Sequence, residues 1–341
     1  MATWSEISAE INSINTPDKC DIVRRRKLAG ISKITNRNTV LYATDFLGTK
    51  ALFLSSSDLS INLTDKEGFV EVTKNLSGED LDVVLHSPGG IAEAAESVVD
   101  LLRNKFSNIR FIIPNAAKSA ATMLAMSGDM ILMDERSELG PTDPQMIVNR
   151  DGQRVIAPAH DIKEQFAMAK KQIINNSQNL TPWLPILRQY GPSLLAECDR
   201  AMSLSKKLVK KWLKDYMFNG DRNAVRKADR IARYLTSKAE FKSHARKIGI
   251  DDLVSRNVKI LDLRTDPTLQ EAIWDLYLAL QFTFSMTGAF KIFENNNSEA
   301  LIRQVQIIQQ LPSLGQPQPT NSQRQQLQAP ATPRTRRSRN T

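Results

Sequence analysis

The stretch LDVVLHSPGG, Leu81 to Gly90, decides the fold. Leu81 to Leu85 is a short, mostly apolar and β-branched run. It is closed by Ser87-Pro88-Gly89-Gly90, so it reads as a buried strand entering a turn. Working outward, Ile91 to Lys105 reads as a helix with Ala94, Ala95, Val98, Val99, Leu101 and Leu102 available for packing. Ile109 to Pro114 is a second strand, and Ser119 to Ser127 is a helix of small and apolar residues closed by Gly128. Met130 to Met133 is a third strand. Strand, helix, strand, helix and strand at this spacing imply a parallel sheet with right-handed crossovers.

The flanks extend this unit. Val40 to Thr44 reads as a strand and Lys66 to Asn75 as a helix. After the turn Gly140-Pro141-Thr142-Asp143-Pro144 come helical segments at His160 to Asn175, Thr181 to Phe218 (broken near Gly191-Pro192) and Asn223 to Leu235. Val258 to Leu263 is a last short strand. The apolar block Ile273 to Phe293 is interrupted by Asp275, Gln281 and Lys291, so it is not expected to span a membrane. From Asn295 on, Gln, Pro, Asn, Ser and Arg dominate, a composition that predicts disorder.

Bulk properties narrow the classes. The chain has 341 residues, 41% hydrophobic and 24% charged, which are ordinary globular values. Cys20 and Cys198 cannot build a disulfide framework or a four-thiolate site, and His86, His160 and His244 show no metal-ligand spacing. No metal or cofactor is expected. Met1 to Ile14 lacks a basic stretch followed by an apolar one, so a cytoplasmic protein without a leader is the expectation. The net charge is +9, of which Arg324, Arg334, Arg336, Arg337 and Arg339 supply five units near the end. Nucleic acid is therefore expected, if at all, only through that basic tail. Lys206 to Lys247 is also rich in Lys and Arg. It reads either as a polyanion-binding face or, the favoured reading, as a solvated helix face.

Two features fall at the carboxyl edge of the three-strand unit, where parallel sheets bind ligands. The amides of the Pro88-Gly89-Gly90 turn can approach a ligand closely, because glycine has no Cβ. Ser119 opens the buried helix after the next strand. A hydroxyl beside converging N–H groups suits acyl transfer, with the oxyanion held by those donors. Taken alone, Ser119 reads more readily as a helix cap than as a nucleophile.

The segments VVLHSPGG (Val83–Gly90), KSAATMLAMSGDMILMDERSELGPTDPQ (Lys118–Gln145) and SHARKIGIDDL (Ser243–Leu253), in this order, resemble the serine dehydrogenase proteinase family of the Clp protease and signal peptide peptidase A superfamily. The resemblance covers roughly Val40 to Val254. It implies a Clp protease/crotonase-like α/β fold with repeated β-β-α units, a mostly parallel sheet and extra C-terminal helices. It implies a serine peptidase with Ser119 as nucleophile and the amides of Gly89 or Gly90 and of Ala120 as the oxyanion hole. The paired-glycine edge would hold an extended peptide or protein substrate. A homo-oligomer is implied by the same resemblance.

The general base is left open. The histidine that Clp proteases carry about twenty-five positions after the serine is replaced here by Thr142-Asp143-Pro144. Signal peptide peptidase A-like enzymes use a lysine further on, and Lys163 falls in that window. The order of preference is Lys163, expected as a buried lysine with a lowered pKa, then His244, then His160. Asp143 reads as a structural turn residue, and Lys118 as pointing to solvent. The expected organisation is an N-terminal segment (1–35), the peptidase domain (36–265) with a helical insertion at about 160–235, an apolar helical segment (266–294) and a disordered tail (295–341). The rival readings are a non-catalytic peptide-binding scaffold and a crotonase-like acyl-CoA enzyme.

Overall fold

The computed structural model describes residues 1–150 and 153–305. The chain opens with α1 (Trp4–Asn12) and α2 (Lys19–Thr35), then β1 (Asn38–Thr44), α3 (Ser56–Leu59) and α4 (Asp65–Thr73). The unit read from the sequence follows as β2 (Asp80–His86), α5 (Ala92–Arg103), β3 (Asn108–Ile112), β4 (Ala116–Ala117), α6 (Ala120–Met126) and β5 (Met130–Met133). Next come β6 (Glu138–Leu139), the hairpin strands β7 (Gln145–Arg150) and β8 (Gln153–Pro158), α7 (Ala159–Asn175), α8 (Leu180–Leu187), α9 (Leu194–Trp212) and α10 (Ala224–Leu235). The chain continues through α11 (Lys238–Phe241), α12 (Ile250–Val254), β9 (Ile260–Asp262), α13 (Pro267–Met286), β10 (Ala289–Asn295) and β11 (Ala300–Gln304).

The main sheet has the order β11-β10-β1-β2-β3-β5-β9. Strands β1, β2, β3, β5 and β9 are parallel, with Val40 beside Val83, Val83 beside Phe111, Phe111 beside Ile131 and Ile131 beside Ile260. Alternation sends Val40, Tyr42, Val83, Leu85, Phe111 and Ile131 to one face, under α4, α5, α6, α9 and α10. It sends Leu41, Ala43, Val84, Ile112 and Leu132 to the other, under α2 and α13. Burial on both faces explains why these strands read as continuous apolar runs. Each fully buried Val or Leu contributes roughly 1.5–3 kcal/mol.

The apolar block near the C-terminus is apolar all round because α13 is packed from two sides. Ile273, Leu276 and Leu280 face the sheet, while Leu278 and Phe282 meet Ile7, Ile11 and Val23 of the N-terminal helices. Among the described residues, no helix is long and apolar enough to cross a membrane.

Two expectations are corrected here. The helical reading of 266–294 fails at its end: the helix stops at Met286 and Ala289–Asn295 is a strand antiparallel to β1. Gly288, packed against Val305 O, marks the break. The disorder expected from Asn295 also begins too early. Asn295–Glu299 forms a tight turn into β11, an edge strand too short and polar to stand out by composition. The rest of the expected tail, 306–341, lies outside the described residues.

Candidate active site

Strand β2 ends at His86, and the chain turns through Ser87–Gly90 at the carboxyl edge of the sheet. The Ser87 N–H donates to Ala116 O (3.1 Å) and the Lys118 N–H donates to Ser87 O (2.9 Å), so the turn runs beside residues 116–118 as a short parallel ladder. Gly89 adopts φ +93°. A Cβ placed there would lie 2.7 Å from Ser119 Cβ and 2.8 Å from Ala120 N, and it would also strike Lys118 O. Only glycine permits this approach. Gly90 is clamped from the other side: the Ile61 N–H donates to Gly89 O (2.7 Å), and the Ile91 N–H donates to Ile61 O (2.9 Å).

Ser119 sits at φ 49°, ψ −119°, a conformation rare for an L-residue and costing on the order of 1–3 kcal/mol. The helix behind it holds it there. Every residue of α6 is buried, the Thr122 hydroxyl donates to Ala117 O (2.8 Å), and the Ala121 N–H donates to Lys118 O (2.8 Å). The Gly89 N–H donates to the Ser87 hydroxyl (3.2 Å). Among the described residues, no hydrogen bond occupies the N–H of Gly90 or Ala120, or the Ser119 hydroxyl. One half-exposed hydroxyl and two open amides thus share one corner. His86 lies beneath it, fully buried between Phe46 and Tyr277. Burial pushes its imidazole down to about 3, so it stays neutral and serves packing.

The expected bases lie elsewhere. Lys163 is on α7, which packs with the hairpin, α8 and α9. Its side chain is 40% exposed and ion-paired with Asp199, so the buried lysine expected from the sequence is not what the fold provides. A helix facing solvent gives the ammonium both water and a partner. His160 is also exposed, at the start of α7, with Glu164 Oε2 4.0 Å from its Nδ1. His160, Asp161 and Glu164 hold ligand atoms within 4.8 Å of one another and could take a divalent cation, an arrangement the spacing of the three histidines did not signal. Lys118 does not point to open solvent. Its ammonium meets Glu138 (3.1 Å) and Leu139 O (3.2 Å), and burial lowers its pKa.

His244 is different. Its Nδ1 lies 2.8 Å from Asp143 Oδ1, across 101 residues of sequence. Both side chains are half-buried, and three sets of hydrogen bonds fix the loops that carry them, the first of them to α6. The Gly140 N–H donates to the Thr122 hydroxyl (3.0 Å), one turn beyond Ser119. Leu139 and Ile248 exchange backbone bonds (3.0 and 2.9 Å). Ser205, in α9, donates to Thr142 O (2.7 Å). Asp143 was expected to be only a structural turn residue, and Thr122 was not singled out. A turn aspartate and a mid-helix threonine carry no local mark of such long-range partners.

Residues 60–178 match the ClpP-like SDH-type serine proteinase family. Two uncharacterized proteins of Methanocaldococcus jannaschii are similar. One is 33% identical over 144 residues, covering 40% of this chain and 48% of that protein. The other is 34% identical over 88 residues, covering 25% and 30%. The chain thus spans about half or less of the length of these curated relatives. Among solved structures, the 1510-N membrane-bound stomatin-specific protease is similar in two variant forms, one of them in complex with a substrate peptide. Both are 15% identical, with TM-scores of 0.36 and 0.35, covering 60% and 59% of this chain and 77% and 71% of theirs.

Proposed function

We propose that this chain, whose residues 60–178 match the ClpP-like SDH-type serine proteinase family, is a serine peptidase working through an acyl-enzyme on Ser119. The observation that carries this reading is the packing of Gly89 directly onto Ser119 and Ala120 N, which leaves the Gly90 and Ala120 amides open beside the hydroxyl. Ser119 Oγ attacks the peptide carbonyl, and those two amides receive the oxyanion. Each such donor is worth about 3–4 kcal/mol of barrier lowering. The exposed backbone at Gly90 holds the substrate in extended form.

The base in this reading is His244. With Nδ1–H donating to the Asp143 carboxylate, Nε2 keeps a lone pair that takes the Ser119 proton and later gives it to the leaving amine. Water then attacks the ester and releases the acyl group. Lys163 is exposed and already ion-paired with Asp199, so it is not the base in this reading. The unoccupied Ser119 hydroxyl also favours a second reading, a peptide-binding scaffold, because no base touches it in the free chain.

A fluorophosphonate probe tests both. Covalent labelling of the full chain that disappears in Ser119→Ala supports the peptidase. No labelling, with peptide binding that survives Ser119→Ala, supports the scaffold, and acyl-CoA binding without label supports a crotonase-like enzyme.

A further inference from the structure

The positive charge of this protein is not spread over its surface. Ser203 to Arg233 holds ten lysines and arginines against three aspartates, a net +7, and residues 306–341 add five arginines with no acid. Everything else in the chain together is net −3. The helices α9 and α10 therefore form a strongly basic body on an otherwise mildly acidic one.

The fold explains how the charge is presented. Helix α9 buries Leu208, Val209 and Trp212 and turns its other side outward. There Lys206, Lys207, Lys210, Lys211 and Lys214 line one open groove whose single carboxylate is Asp229. The three aspartates of the segment are already engaged: Asp229 by Lys210 and Arg233, Asp215 by Lys214, and Asp221 by Lys227. Lys206, Lys207 and Lys211 have no carboxylate partner among the described residues. A second exposed row, Arg222, Arg226, Arg230 and Arg233, runs along α10.

We infer that this groove binds the phosphate backbone of a nucleic acid without reading its sequence. The lining is lysine, a compact point charge that meets phosphate oxygens in many orientations. Lys207, Lys211 and Lys214 follow one another at about one helical turn, roughly 5–6 Å apart along the axis, in the manner of successive charges on a chain. No base platform is present: Trp212 is buried, and Tyr216 is covered by Arg103 at 3.9 Å. Without a stacking surface, contacts go to phosphates and position rather than specify. No apolar residue is among those that line the groove.

The test is fluorescence anisotropy of the full chain with a labelled DNA duplex of about 20 base pairs over a salt series, in the Ser119→Ala background. The expected log–log salt slope is about −4, for four or five phosphate contacts. The triple variant Lys206→Glu, Lys207→Glu, Lys211→Glu should lose about 100-fold in affinity and flatten the slope by about 3. The Lys→Arg triple should keep binding, and a Lys→Gln triple replaces the first if circular dichroism shows it misfolded. A variant with Arg324, Arg334, Arg336, Arg337 and Arg339 changed to Gln should retain most of the affinity. Three results overturn the inference: no duplex binding, loss of binding only in that arginine variant, or equal binding in the groove of a polyglutamate peptide or of anionic vesicles.

Discussion

The Ser119 side and the His244 side of the candidate site are built in opposite ways. Around Ser119 everything is backbone and buried apolar packing: the glycine turn, the parallel ladder to residues 116–118, and a helix with no exposed residue. A shift of a few tenths of an ångström is resisted there, because a Cβ at Gly89 already has no room. Around His244 the framework is a side-chain contact with Asp143 and a few hydrogen bonds between loops. In the proposed mechanism, the difference teaches that rigidity is concentrated where amides and hydroxyl would meet one carbonyl, while the proposed proton acceptor is carried on less buried loops.

That contrast can be broken most directly at the base. In the proposed mechanism, His244→Ala lowers kcat/KM for a peptide substrate by about 10³–10⁴-fold. Lys163→Ala changes it less than about threefold, since an exposed ion pair contributes little. A large loss in Lys163→Ala with little in His244→Ala would move the base to α7.

Stability sharpens the same contrast between buried and exposed charge. Lys291 and Asp65 are both fully buried, 2.9 Å apart, and Asp65 also accepts from the Tyr42 hydroxyl (2.8 Å). Lys291 also donates to Ser60 O (2.8 Å), next to the Ile61 backbone that clamps the glycine turn. Asp65→Asn should cost about 3–5 kcal/mol in urea unfolding, because it strands a buried ammonium.

A smaller effect comes from pH. Burial holds His86 at about 3 when folded, against about 6.5 when unfolded. Between these values the unfolded chain binds more protons, so stability rises with pH through this window. It is fully present above about 6.5 and falls by about 1 kcal/mol per unit as pH drops toward 3. Urea midpoints from pH 7 to 4 should show this slope in the parent and a shallower one in His86→Phe. The smallest expected effect is Asp199→Asn, below about 1 kcal/mol, because its partner Lys163 stays solvated.

The parallel sheet, the glycine turn and the serine helix were legible because they are local. The nearly continuous apolar run Leu81–Leu85, two glycines at the strand end and a small-residue helix each state their own burial. The hairpin β7–β8 was not legible: Ile147 and Ile156 face outward at 65% and 57% exposure, so its alternation does not follow burial. Strand β10 was hidden for a related reason. Lys291 and Glu294 break its apolar pattern, yet both are fully buried because Asp65 and Arg24 neutralise them.

By itself, then, the chain's order of residues determined which backbone would form the nucleophile corner, since strand, turn and helix preferences act over a few positions. Only the tertiary structure decided the partners of the charged and titratable groups. It joined His244 to Asp143 and left Lys163 in water, because such pairings depend on where loops a hundred residues apart come to rest. Periodicity, which reports burial along one element, carries no information about that.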